Sequence, residues 1–220
     1  MRSRAIRFAA FAALSAFPAI SGAQIRRPER PPQRSAWLGL SIGVMQLSDV
    51  LDGTTSSQWL FGNAVQYRVS LETPVQYGTT LGIVGAFARV PLGYRSLDGT
   101  GPSGCVTSCD ADATVTQLAA TLHAGGGGIG FHQVIELSIG ATGYSAFRAR
   151  GSGQRLAPTK LDADLIASLG YGFGYSISPD MHVTLVQEGG VTLHQRTGVA
   201  AGENTLGRQY ITRLGVRFGL

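Results

Sequence analysis

Charge is scarce in this sequence. Asp, Glu, Lys and Arg make up 14% of its 220 residues, against about 25% in a soluble globular protein. A chain so poor in charge cannot clothe a whole water-facing surface, and part of that surface must meet another solvent. Long apolar runs are also missing. The apolar stretch Phe8–Ile20 is too short to cross a bilayer as a helix. No amphipathic helix of useful length and no fixed-period repeat is visible. Cysteine occurs only twice, and two thiols alone do not complete the four-ligand shell that zinc prefers.

What is present begins with an export signal. Arg2, Arg4 and Arg7 precede the apolar run, and Ser21-Gly22-Ala23 supplies the small residues of a cleavage site. Residues 1–23 therefore read as a removed signal peptide, with Gln24 first in the mature chain. Residues 24–35, rich in Pro and Arg, read as a flexible or extended periplasmic leader. The formal charge of +5 belongs to these two segments: residues 35–220 carry 11 basic and 12 acidic side chains. That near-neutrality removes the electrostatic case for nucleic acid as a partner. Export also sets the redox context, so Cys105 and Cys109, in a Gly/Ser/Asp-rich stretch, are expected to form a disulfide.

From Ala36 onward the pattern has period two, the mark of strands with unlike faces. Eight such stretches are predicted, at 37–47, 58–72, 79–94, 114–124, 131–146, 162–177, 182–196 and 208–220. The sixth shows it best: Leu165, Ala167, Leu169, Tyr171, Phe173 and Tyr175 alternate with Asp164, Ile166, Ser168, Gly170, Gly172 and Gly174. The third is apolar on both faces, so its parity is left open, and Gly85 there is a candidate bulge. The polar faces are mostly Gly, Ser, Thr and Gln, too lightly charged for a solvated exterior. They suit the crowded inside of a small barrel, which turns the apolar faces outward. Trp59, Phe61, Tyr94 and Tyr144 toward one end, with Phe173, Tyr175 and Phe218 toward the other, would approximate two interfacial girdles.

The connections alternate between short turns, as at Pro74 and Ser178-Pro179-Asp180, and longer polar stretches at 48–57, 96–113, 149–161 and 198–206. The C-terminus, Leu214-x-Val216-x-Phe218-x-Leu220, is apolar at every second position. It is similar to the signal read by the outer-membrane assembly machinery, with Leu220 where an aromatic usually stands. Residues 36–220 thus resemble the OmpA/OmpX-type small barrels of the outer membrane protein β-barrel domain group. The resemblance implies an all-β, eight-stranded, antiparallel, up-and-down transmembrane barrel in the bacterial outer membrane. Its implied partners are outer-membrane lipid, lipopolysaccharide and the barrel-assembly machinery, with some further ligand at the surface loops. A non-catalytic role in envelope integrity or loop-mediated interaction is expected. A narrow solute channel and a lipid A acyl hydrolase or transferase are the alternatives.

Catalytic patterns are thin. His132, Glu136 and Ser138 share a face, but six residues of strand hold His132 and Ser138 about 20 Å apart. Thr192-x-His194 is the nearest analogue of a His-x-Ser pattern. Gly125–Gly128 lacks the Lys-Ser/Thr that a phosphate loop needs. His123, His132 and His182 fall on different strands or turns, and no metal or cofactor is expected. His194 and Arg196 read as caps of a polar lumen. Charges inside a small barrel should be paired. A turn centred on Pro179 and Asp180 would set Asp164 against Arg196, and the next loop would bring Glu188 near Arg217.

Overall fold

A computed structural model of the chain describes residues 34–53, 55–99, 101, 105–126, 128–194 and 206–220. The predicted signal peptide, most of the predicted leader, and Arg196 lie outside the described residues. The strands are β1 (Trp37–Leu47), β2 (Val50–Asp52), β3 (Ser57–Phe61), β4 (Ala64–Gln76), β5 (Thr79–Ser96), β6 (Ser108–Ala124), β7 (Gly130–Ala149), β8 (Asp162–Ser178), β9 (Met181–Leu193) and β10 (Leu206–Gly219). Eight of them close on themselves: β1 pairs with β4 and β10, the hairpins continue round the wall, and β5 pairs with β6. Every pairing is antiparallel, so the fold is the predicted eight-stranded barrel.

The remaining two strands form a flap. The predicted second strand is broken at Gly62-Asn63, which separates β3 from β4. β2 pairs with β3, and β3 pairs with the loop-side extension of β5, Trp59 standing opposite Tyr94. At the other end, Ser35 N–H donates to the Leu220 carbonyl at 3.2 Å and Arg34 pairs with Asp180. The last residues of the predicted leader are therefore tied to the turn side.

Face assignment follows the alternation. Leu40, Ile42, Val44, Val65, Tyr67, Val69 and Leu71 face outward, as do Leu165 to Tyr175 at odd positions. In β5, Leu81, Ile83 and Phe87 point out while Thr80, Val84, Ala88 and Val90 point in, which settles the parity the sequence left open. Gly85 keeps a regular register opposite Val69; the irregularity of this hairpin falls between Pro74 and Gln76. Inward glycines let neighbouring strands crowd: a Cβ on Gly172 would run into the Leu185 carbonyl oxygen and the Val186 Cα. Alanine there requires the backbone to shift.

The aromatics divide differently from the expected two girdles. Phe131, Tyr171, Phe173 and Tyr175 ring the turn-side exterior, but Trp59, Tyr94 and Tyr144 are buried inside the loop-side end. Tyr94 and Tyr144 occupy even, inward positions of their strands. After Tyr144, a register shift opposite Asp112/Thr114 and a positive φ of 53° at Ala146 reset the phase, and Phe147 also points inward. These rings pack into one apolar cap with Met45, Val90, Leu92, Cys105 and Leu156.

Candidate functional site: the lumen and its loop-side mouth

The interior is layered. Nearest the turns, Arg217 pairs with Glu72 and donates to Thr80 Oγ1 at 2.9 Å, while Ser70 donates to Glu72 at 2.7 Å. Trp37 lies across the Arg217 guanidinium at 5.2 Å and beside His182 at 4.7 Å, covering this end. One layer up, Arg68 and Arg213 interleave with Glu136 and Glu188. Arg68 reaches Glu188 at 2.8 Å and Glu136 at 3.5 Å; Arg213 reaches Glu188 at 3.4 Å and also pairs with Glu136. His123 Nδ1 stands 3.1 Å from Glu136. Three arginines thus face three glutamates.

Above the charges lies a glutamine ladder. Gln66 donates to Gln117 at 3.1 Å, and Gln117 donates to Gln209 at 2.7 Å. The apolar cap closes the loop side. Trp59 is 4.7 Å from Phe147 and 5.6 Å from Tyr144 between ring centroids, and its indole N–H donates to Ser57 at 2.8 Å. A cavity in the charged layers, lined by Arg68, Glu72, Glu136, Arg213 and Arg217, holds about 30 Å³, room for one or two water molecules.

One predicted ion pair is re-partnered, and the other includes Arg196, which lies outside the described residues. Glu188 meets Arg68 and Arg213, not Arg217, because β9–β10 register sets Arg217 opposite His182 and Arg213 opposite Val186. Asp164 meets His194 at 2.9 and 3.0 Å. The β8–β9 register shifts between Ser176 and Ser178, aligning Leu165 with Leu193 and hence drawing His194, two residues before Arg196, level with Asp164. The third predicted feature is present: Cys105 and Cys109 are joined, with Cα atoms 5.2 Å apart. Cys109 sits within β6, opposite Tyr94, and Cys105 is buried against the cap, so the bridge is part of packed structure instead of a loop tip.

The serine–histidine pattern on β7 does not assemble. Ser138 donates to Thr121 and receives Arg68, while His132 lies toward the turns beside Ser176. A different group gathers at the rim, above the last outward apolar residues Leu165 and Leu193. Asp52 ends β2, Asp162 and Asp164 begin β8, and His194 follows β9. Burial disfavours the charged imidazole of His194, but the hydrogen bond and charge of Asp164, with Asp162 and Asp52, hold its pKa above the usual histidine value. Burial raises the Asp162 carboxyl; the charges of Asp164 and Asp52 push the same way against the opposing pull of His194. The sequence reading missed Asp52 altogether, since only the flap brings it to the other strands.

No protein-family model matches the chain, and no curated protein sequence matches it. Among solved structures, the crystal structure of neisserial surface protein A aligns with 84% of this chain and 97% of its own, at 12% identity and a TM-score of 0.53. The N-terminal β-barrel domain of Pseudomonas aeruginosa OprF aligns with 86% of this chain and 100% of its own, at 13% identity and a TM-score of 0.44. The described residues have the fold of the small eight-stranded outer-membrane β-barrels, and fold is what they share with neisserial surface protein A.

Proposed function

We propose that this chain is a non-catalytic bacterial outer-membrane protein with a closed lumen, acting in envelope integrity or through its loop-side surface. The observation that carries the reading is the lumen itself. Arg68, Arg213, Arg217, Glu72, Glu136 and Glu188 interlock across it, and the aromatic cap packs above them at the loop-side end. Reconstituted into planar bilayers, the barrel should give no conductance steps, and its expression should leave the lipid A mass unchanged. Sustained ion current would restore the channel reading, and a lost or gained acyl chain would restore the enzyme reading.

Location is supported by the exterior. An outward band of Leu, Ile, Val, Phe and Tyr runs round the wall, far larger than the apolar patches that soluble monomers expose. Outer-membrane lipid and lipopolysaccharide are its fitting surroundings, and the alternating C-terminal strand supports insertion by the barrel-assembly machinery. Leu169 stands near the middle of the band, 57% exposed. Leu169→Arg should therefore cost about 2–4 kcal/mol in lipid, read from the urea midpoint of reconstituted protein, with Leu169→Phe close to unchanged. Equal midpoints for Leu169→Arg and the unaltered protein would mean that this face does not meet lipid.

A further inference from the structure

The outward apolar band carries an amide at its mid-height. On β9 the outward positions run Val183, Leu185, Gln187, Gly189, Val191 and Leu193, so exposed Gln187 sits midway, with the apolar Leu185 and Val191 on either side. On β10 the exposed Thr212 stands opposite Gln187, between the outward Tyr210 and Leu214. Thr212 Oγ1 donates to Gln187 Oε1. The two N–H donors of Gln187 Nε2 have no partner among the described residues. Tyr171 is opposite on β8, but its ring packs edge-on against Phe173. Hydrocarbon offers no acceptor, and an amide left unpaired in it is costly. An acceptor at this depth has to come from another protein surface.

We propose that the β9–β10 face centred on Gln187 joins two copies of this chain in the membrane as a two-fold dimer. The proposal rests on the reading that the outward band meets lipid. Three features select a second copy as the occupant. The first is depth: a barrel inserted the same way brings its own Gln187 to the same level of the bilayer. The second is chemistry. A primary amide complements itself, because each Nε2–H can donate to the other Oε1, which has a second lone pair beyond the one facing Thr212. That reciprocal contact is isologous, the relation a two-fold axis creates. Thr212 holds the amide in place before the partner arrives. The third is shape. Gly189 follows Gln187 on the same face, and a Cβ there would meet only the Tyr210 ring, at 3.9 Å. The wall is therefore notched beside the amide, which lets two backbones approach as small residues do between membrane helices.

The test is crosslinking of the whole chain, reconstituted in phospholipid bilayers over a range of protein-to-lipid ratios, with folding checked by the heat-modifiable gel shift. Gly189→Cys places a thiol in the contact, and Ile83→Cys places one on the outward face of β5, across the barrel. The native bridge keeps Cys105 and Cys109 out of the reaction. A short bifunctional thiol reagent should join Gly189→Cys into dimers at dilutions where Ile83→Cys stays monomeric. Adding Gln187→Leu to Gly189→Cys keeps the face apolar and the barrel folded. It should move half-dimerisation to a protein density at least tenfold higher. Folded Gly189→Cys that crosslinks no better than Ile83→Cys would overturn the dimer, while insertion into the bilayer would leave the membrane location standing. A dimer yield unchanged by Gln187→Leu would overturn it equally, since the amide would then not be what joins the copies.

Discussion

Glu188→Gln should cost about 3–5 kcal/mol of unfolding free energy, because it strips the shared counter-charge from two buried arginines. Glu188 is 2% exposed and lies 2.8 Å from Arg68 and 3.4 Å from Arg213. Neutralising it leaves three lumen arginines against two glutamates. Adding Arg68→Met should recover most of the loss, since an apolar side chain of similar length removes the stranded charge and fills its space. The comparison is Asp112→Asn on the loop-side wall. Asp112 pairs there with Arg89 and Arg150, both more than half exposed, and the hydrogen bond from Arg150 holds its carboxyl below the usual range. Solvent screens that cluster, so its loss should cost less than about 1 kcal/mol. Urea midpoints of the reconstituted variants decide the matter. A Glu188→Gln midpoint equal to that of Asp112→Asn would show that the lumen charges are solvated and the barrel is not plugged.

The wall of this barrel was legible in the sequence because period-two alternation is a local property. Each strand's own residues state which way they face, and eight such statements close into one object. Only β5, apolar on both sides, lacked the contrast. The interior was less legible because its contacts cross the lumen. Arg68 and Glu188 sit on β4 and β9, which are not neighbours in the wall, and no hairpin register relates them. Small irregularities mattered for the same reason. The shift at Ser176/Ser178 re-aims Asp164 to His194, and the bulge near Ala146 turns Phe147 inward. The expected loop-side girdle failed because Tyr94 and Tyr144 fall on inward positions of their strands and Trp59 belongs to the flap. A break at Gly62-Asn63 frees its strand from the alternation of β4, and the large ring is then better buried against Phe147 and Tyr144 than left at the wall.

That burial makes Trp59→Ala the second large effect expected, about 3–5 kcal/mol. Trp59 is fully buried and touches the cap from its centre, with Phe147, Tyr144, Phe61 and His194 round it at centroid distances of 4.7 to 6.2 Å. Alanine would leave a void that strands in the sheet cannot close, because β3 is held to β5 by its register. Trp59→Phe keeps most of the volume and loses only the bond to Ser57, so it should cost about 1–2 kcal/mol. The cap also covers Cys105, which gives a local readout beside the urea midpoint. In Trp59→Ala the Cys105–Cys109 bridge should be reduced by an added thiol at least tenfold faster than in the unaltered protein, while the heat-modifiable barrel persists. Unchanged reduction and an unchanged midpoint together would mean that the cap does not hold the loop-side end. In that case the lumen would be closed by its charges alone.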